Sequence, residues 1–161
     1  MASLLPFFEW CDKTAIGVWI RDGSKWAFPI IETFHILALT LLFGTILIVD
    51  LRLLDMGMRR QSASLLAKEL GPWMYGSLAL ILPTGVLLFL SEALKCYGND
   101  GFRFKMVFLA AALIFHFTAF RWATTADAES RVSPLARKLV ALVSMTLWLG
   151  VGVGGRAIGF V

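Results

Sequence analysis

The sequence predicts an all-α integral membrane protein, an antiparallel four-helix transmembrane bundle preceded by an N-terminal amphipathic interfacial helix. Two observations predict this class. Of the 161 residues, 58% are hydrophobic and only 16% are charged, with a mean hydropathy of +0.77, which leaves too few charges to cover a water-facing surface. Four separate segments are also apolar over about 20 residues, the length that crosses the hydrocarbon core of a bilayer.

The segment 3–20 repeats apolar side chains at helical spacing, including Leu4, Phe8, Cys11 and Val18. Charges interrupt this segment too often for it to cross a bilayer, so we expect an amphipathic helix on the membrane surface. The chain start lacks a basic region and a small-residue cleavage site, so no signal peptide is expected. Cys11 and Cys96 do not have the spacing of a metal-binding pair and are expected to be ordinary thiols.

The four predicted spans lie in one membrane domain, 1–161, and cover residues 26–49, 73–94, 104–123 and 139–158. The first span continues as a polar helical extension through Asp50, Arg52 and Asp55. Indole rings favour the membrane interface, and three tryptophans lie at the span ends: Trp26, Trp73 and Trp122.

An even number of spans places both termini on one side of the membrane. Lys and Arg are slightly more numerous on the other side, which holds the loops 50–72 and 124–138. By the positive-inside rule those loops are expected to be cytoplasmic and the termini periplasmic, in a bacterial inner membrane. No basic stretch is long enough to indicate a nucleic-acid partner.

The chemistry expected inside the bundle depends on the chain's only two histidines, His35 and His116, in the first and third spans. Imidazoles on two membrane helices are the minimal ligand set of a six-coordinate haem b. Lys105 and Arg156, on the same side of the membrane, are predicted to pair with the propionates. Glu32, one turn before His35, is expected to orient its ring. The leading hypothesis is haem b binding for electron transfer or redox sensing, in a carrier rather than an enzyme, with a protein or quinone as redox partner.

The relative depth of the two histidines leaves alternatives open. They lie level when depth is counted from the side of the termini, but differ by about 15 Å when it is counted from the other side. If the levels differ, one haem cannot bind both, and either His116 pairs with Met145 or His35 binds iron alone. Either histidine by itself is also typical of a hydrogen-bonded packing residue between helices.

Two hypotheses of other classes remain. One is a cofactor-free structural or accessory subunit of a membrane complex. The other is a cation or proton conductor that uses Glu32, His35 and Glu92, although the spans lack the paired broken helices of many transporters.

Glycines in the last span predict close helix packing. Gly150 with Gly154, and Gly155 with Gly159, form two small-xxx-small pairs. The two pairs point about 140° apart around the helix, so they face different neighbours. One pair can pack inside the bundle while the other meets a second protomer, and we therefore expect a homo-oligomer.

Two stretches carry a resemblance to known proteins: IETFHILALTLLFGTILIVDLRLLD at 31–55 and WLGVGVGGRAIGF at 148–160. They resemble a family of small four-span bacterial inner-membrane proteins classed as a domain of unknown function. The most specific parts are the Glu32-Thr-Phe-His35 start, Asp50-Leu-Arg52 and Gly155-Arg156. The resemblance covers most of the chain and implies the four-span fold, and it implies no activity.

Overall fold

The computed structural model describes residues 4–57, 60–125 and 131–160, which are helical almost throughout and contain no β-strand. Four helices are long and apolar enough to cross a membrane. The helices in chain order are α1 (Leu5–Asp12), α2 (Ala15–Val18), α3 (Ala27–Leu53), α4 (Ala63–Ser91), α5 (Ala93–Tyr97), α6 (Asp100–Phe115), α7 (Arg121–Ala123) and α8 (Pro134–Ala157). A π turn, His116–Phe120, joins α6 to α7, so that these three elements form the third long helix.

Three of the long helices begin earlier than hydropathy predicted, because polar residues cap them before the apolar stretch starts. The third long helix begins at Asp100 rather than at residue 104, after a cap by the Asn99 side chain. The Ser62 hydroxyl accepts a hydrogen bond from the Leu65 backbone N–H at 3.1 Å, so α4 begins at Ala63 rather than near residue 73. Ser133 caps α8 in the same way at 3.2 Å through Ala136. Such N-caps satisfy backbone donors of the first turn and need no apolar side chains.

The N-terminal segment is not the single helix predicted over 3–20. Residue 3 lies outside the described residues, and the rest is divided into α1, α2 and a π turn at Trp19–Gly23. The break falls at Thr14, whose hydroxyl accepts from the Gly17 N–H at 3.3 Å and starts a new helix. The break also changes which side chains face inward, since Cys11 is buried whereas Leu4 and Val18 are exposed.

The long helices pack as a chain of neighbours in which α3 contacts α4 and α8, and α8 contacts α6. The α6–α8 contact is close enough to require glycine. A Cβ atom built on Gly150 would lie 2.0 Å from the Phe108 ring, and one on Gly154 would lie 2.9 Å from the Lys105 backbone nitrogen. This pair therefore packs inside the bundle, as the sequence allowed for one of its two glycine pairs. Nothing lies within 4 Å of a Cβ on Gly159.

Aromatic ring pairs connect α4 with α6 and with the π turn that follows α6. Tyr75 stacks on Phe117 with centroids 6.3 Å apart, and Phe89 stacks on Phe102 at 5.5 Å. At the second of these pairs, α1 packs across the gap and places Phe8 edge-on to Phe89, 5.5 Å away. The gap between α4 and α6 is therefore bridged at two levels and covered by α1 at one end.

Candidate cofactor site

A cavity of about 420 Å³ lies in this gap, beneath α1. Its wall is mainly apolar, and two polar side chains with titratable groups, His35 and Lys105, reach it. The aromatic part of the wall comes from four helices: Phe7, Phe8, Phe89, Phe102 and Trp148. An apolar cavity of this size with a few convergent polar groups is typical of a site for a small amphipathic molecule.

The hydrogen bonds around the His35 ring favour one tautomer. Its Nδ1 lies 2.9 Å from the Thr84 Oγ1, and that hydroxyl donates its only proton to the Leu80 carbonyl at 2.6 Å. With its proton donated to a backbone carbonyl, the hydroxyl accepts from His35, an arrangement that favours the tautomer with the proton on Nδ1. The backbone carbonyl of Ile81 is a second acceptor near the ring. Nε2 then carries a free lone pair, the arrangement found when imidazole binds a metal.

The absence of a side chain at Gly85 of α4 leaves space for the His35 ring. A Cβ on Gly85 would lie 3.2 Å from His35 Cε1, closer than nearly all such contacts. The carbon chain of Lys105 in turn runs past Gly155, at 3.8 Å from where a Cβ would be. The Lys105 ammonium is near enough to act electrostatically on His35. The structure thus brings an imidazole and a lysine side chain to one cavity.

His116 lies in different surroundings. Its ring is 3% exposed and stacks on Phe120 at 4.9 Å, with Phe117, Tyr75 and Trp148 also packed around it. Its Nδ1 is buried and has no hydrogen-bond partner among the described residues. No part of His116 lines the cavity described above.

The distance between the histidines follows from their neighbours on α4. His35 is bonded to Thr84, whereas His116 is beside Tyr75, nine residues earlier, which corresponds to about 14 Å along a helix. Trp148 contributes to the cavity wall and also contacts His116, so it stands between them. Imidazole nitrogens bind metals at about 2 Å, and one iron cannot reach both rings at this separation. The structure does not bring the two histidines together.

The other predicted site residues lie apart from the cavity. Glu32 is exposed, and the group that binds the Nδ1 of His35 is Thr84. Arg156 is exposed and its guanidinium lies 4.8 Å from the centre of the Phe160 ring. Met145 is half-buried on α8, three residues before Trp148. None of these three side chains is among those that line the cavity.

The residues of the proposed conductor are not assembled either. Glu92 forms an ion pair with Lys95 on α5, and Glu32 is exposed on α3. Across the part of the chain that the structure describes, no group of three or more His, Cys, Asp or Glu side chains is placed to hold a metal ion. A haem needs only one or two protein ligands, so this finding does not bear on the haem hypothesis.

Both cysteines are buried thiols near the α1 end of the bundle. Burial raises the pKa of Cys11, and burial together with the nearby Glu92 carboxylate raises the pKa of Cys96 to about 11. Thiols with raised pKa values are largely protonated at neutral pH and react slowly. That both cysteines are ordinary thiols stays a prediction from the sequence.

Sequence reasoning missed several residues that shape the cavity. Thr84 and Gly85 follow Pro83 directly, and a Thr-Gly pair after a proline inside an apolar span was a signal that could have been used. No comparable signal existed for Phe8 or Trp148, because apolar residues occur throughout these helices and only tertiary packing selects the ones that line a cavity.

Comparison with known proteins places the chain in a family. The model of a family of unknown function, DUF6644, matches residues 7–161, and the chain belongs to that family. No curated protein and no solved structure matches it. The resemblance noted in the sequence is thereby confirmed, and the function has to be argued from the site.

Proposed function

We propose that this protein is a membrane haem b protein in which His35 is the axial ligand and Lys105 pairs with a propionate. The observation that carries the proposal is the Nε2 lone pair of an imidazole on the same apolar cavity as a lysine side chain. A haem offers matching chemistry, with an iron that binds imidazole, an apolar macrocycle and anionic propionates. The proposed site does not include three residues that the sequence predicted for it: His116, Glu32 and Arg156.

A single histidine ligand leaves the sixth iron position open. Five-coordinate iron binds small molecules, as the proximal histidine of globins allows, whereas two imidazoles suit electron transfer alone. Of the two activities considered from the sequence, the proposal therefore favours redox sensing. The aromatic wall would exclude water from the iron, which strengthens the interaction between Lys105 and an anionic group.

The test is the visible absorption spectrum of the full-length protein, purified in mild detergent and supplied with haemin. We expect a Soret band of five-coordinate, high-spin iron that converts to a low-spin spectrum when carbon monoxide is added to the reduced protein. Free haemin in the same detergent is the control. A protein that acquires no Soret band above this control would leave the cofactor-free accessory subunit as the better hypothesis.

The same proposal places the four long helices in a membrane as an antiparallel bundle. Large apolar side chains are exposed along all four helices, which suits contact with lipid. Trp26 and Trp122 are more than half exposed near helix ends, where headgroups would lie, and Trp73 is equally exposed within α4. Contacts at both ends support antiparallel pairing of α3 and α4. The Arg52 guanidinium, at the end of α3, donates to the carbonyl of Gln61, just before the start of α4, at 2.5 Å. His35, near the start of α3, bonds Thr84, towards the end of α4.

Orientation and assembly complete the proposal. We expect a bacterial inner membrane with periplasmic termini, so reporter fusions at Val161 and near Ser64 should report periplasm and cytoplasm respectively. Fusions that report the reverse would show the opposite orientation, and fusions that report one compartment would contradict four spans.

We also propose a homo-oligomer, because Gly159 and the outward faces of α8 remain available for a second protomer. Native mass spectrometry in mild detergent would contradict this if only a 17.8 kDa species appeared at all concentrations.

A further inference from the structure

The carboxyl group of Asp50 is enclosed in the bundle, and none of the described residues neutralises it. Asp50 is 0% exposed, and neither of its carboxyl oxygens has a hydrogen-bond partner among the described residues. The hydroxyl side chain of Ser144 on α8 lies beside it without completing a hydrogen bond. Val49 and Ala141, both fully buried at 0%, are near it on the same two helices. A buried, unpaired carboxylate is among the most costly groups a protein can hold.

Two of the cations at this end of the bundle, Arg52 and Lys138, are engaged by a different acid. Arg52 forms an ion pair with Asp55 at 3.2 Å and also donates to the Gln61 carbonyl. Lys138, on α8, lies 3.6 Å from the other Asp55 oxygen. Asp55 is half exposed and collects both cations, although Asp50 is only five residues away on the same chain segment.

Other titratable groups on the neighbouring helices do not compensate the carboxyl. On α4, Lys68 and Glu69 are exposed. Arg121, beyond the π turn of the third long helix, is exposed as well, and His116 is packed among aromatic rings. On α8, Arg137 is half-buried, two turns from Ser144, and has contacts of its own. Among the residues that the structure describes, Ser144 is the one side chain that acts on the Asp50 carboxyl.

We propose that Asp50 is a proton-binding site at the α3–α8 interface, whose occupied form is the neutral carboxylic acid and whose emptying is coupled to opening of that interface. Loss of the proton leaves a carboxylate that the closed core does not stabilise. The proton must pass to water, and the water has to enter from the near end, because Asp50 is one turn from the C-terminus of α3 at Leu53. This proposal is independent of haem binding.

The probe is dicyclohexylcarbodiimide, an apolar reagent that selects protonated carboxyl groups in apolar surroundings. The acid transfers its proton to a carbodiimide nitrogen and its oxygen bonds to the central carbon, and the adduct rearranges to a stable acylurea. The full-length protein in liposomes is treated over a pH series and the labelled peptide is identified by mass spectrometry. We expect Asp50 to be the main labelled residue, with labelling that falls as pH rises.

Asp55 provides the matched control, since it is exposed and ion-paired in the adjoining turn. Labelling should be lost in Asp50→Asn and retained in Asp55→Asn. Because peptide mapping identifies the site in the unmodified protein, the test stands even if a variant fails to fold. Absence of label at Asp50 at every pH overturns the proposal. Protection of Asp50 by Na⁺ relative to choline at constant pH would also overturn it, since the bound species would then be a metal cation.

Discussion

The two histidines, His35 and His116, differ in their surroundings: one faces a cavity and the other is packed among aromatic rings. The ring of His35 donates from Nδ1 to Thr84 and presents its other nitrogen to a cavity that also contains Lys105. The ring of His116 is enclosed by aromatic side chains, and its Nδ1 has no partner among the described residues. A hydrogen-bonded second nitrogen is the usual support of a ligand histidine. The comparison therefore distinguishes His35, whose Nε2 faces a cavity, from His116, whose ring packs among aromatic side chains in the core.

The largest expected effect is the loss of haem from His35→Ala. Removing the only proposed iron ligand should abolish the Soret band of the reconstituted protein, and added imidazole, which fits the space vacated by the side chain, should restore part of it. Absorption spectra with and without imidazole measure both results. If His35→Ala keeps the spectrum of the unmodified protein, the distinction drawn between the two histidines is wrong.

Replacing Lys105 and Arg156 one at a time distinguishes between the two side chains that the sequence predicted to pair with the propionates. Lys105→Met should weaken haem affinity about tenfold, because a charge-assisted hydrogen bond contributes about 1.5 kcal/mol or more. Arg156→Met should leave affinity unchanged, because that guanidinium lies over Phe160 outside the cavity. Haem titrations of the two variants provide the measurement. Equal losses in both would return Arg156 to the site.

A smaller effect is expected from the backbone beside His35. In Gly85→Ala the new methyl group would press on the ring at 3.2 Å, so we expect a few-fold loss of haem affinity and a shifted Soret maximum. Gly76→Ala, on the same helix, introduces a methyl group with nothing within 4 Å and controls for helix propensity. Identical spectra and affinities for the two variants would show that Gly85 does not position the ring.

The smallest change is expected from His116→Phe. The substitution keeps an aromatic ring and removes a buried nitrogen that lacks a partner, so the free energy of unfolding should rise by about 1 kcal/mol while haem binding is unchanged. Thermal unfolding and haem titration give the two values. A loss of haem binding comparable to that of His35→Ala would contradict the role assigned to His116.

The four long apolar helices could be predicted from the sequence, because a run of apolar residues long enough to cross a bilayer is visible without knowledge of tertiary packing. Their starts could not, since Ser62 and Ser133 extend α4 and α8 with polar first turns. The depth of the histidines was ambiguous for the same reason. Without the true helix ends, counting from one side of the membrane made His35 and His116 level and counting from the other separated them.

Asp50 shows a second limit of sequence reasoning. Next to Arg52 and Asp55 it has the appearance of a solvated helix extension. Helix α3 does continue past the apolar run, but it ends at Leu53 and not at Asp55, whose backbone φ is 60°. Whether such an acid meets water depends on what packs against the helix face. Asp50 is fully buried, with Ser144 of α8 beside it, while Asp55 is left exposed. Helical periodicity gives the face of a residue but not the neighbour that the face meets.

The wall that α1 contributes to the cavity has a consequence for the order of assembly. Phe8 is synthesised well before its ring partners Phe89, Tyr97 and Phe102, which lie at least 81 residues later in the sequence. During translation the long helices can therefore insert while this side of the cavity is still uncovered. A planar molecule too bulky to pass between packed helices can enter at that stage, and docking of the first helix afterwards encloses it.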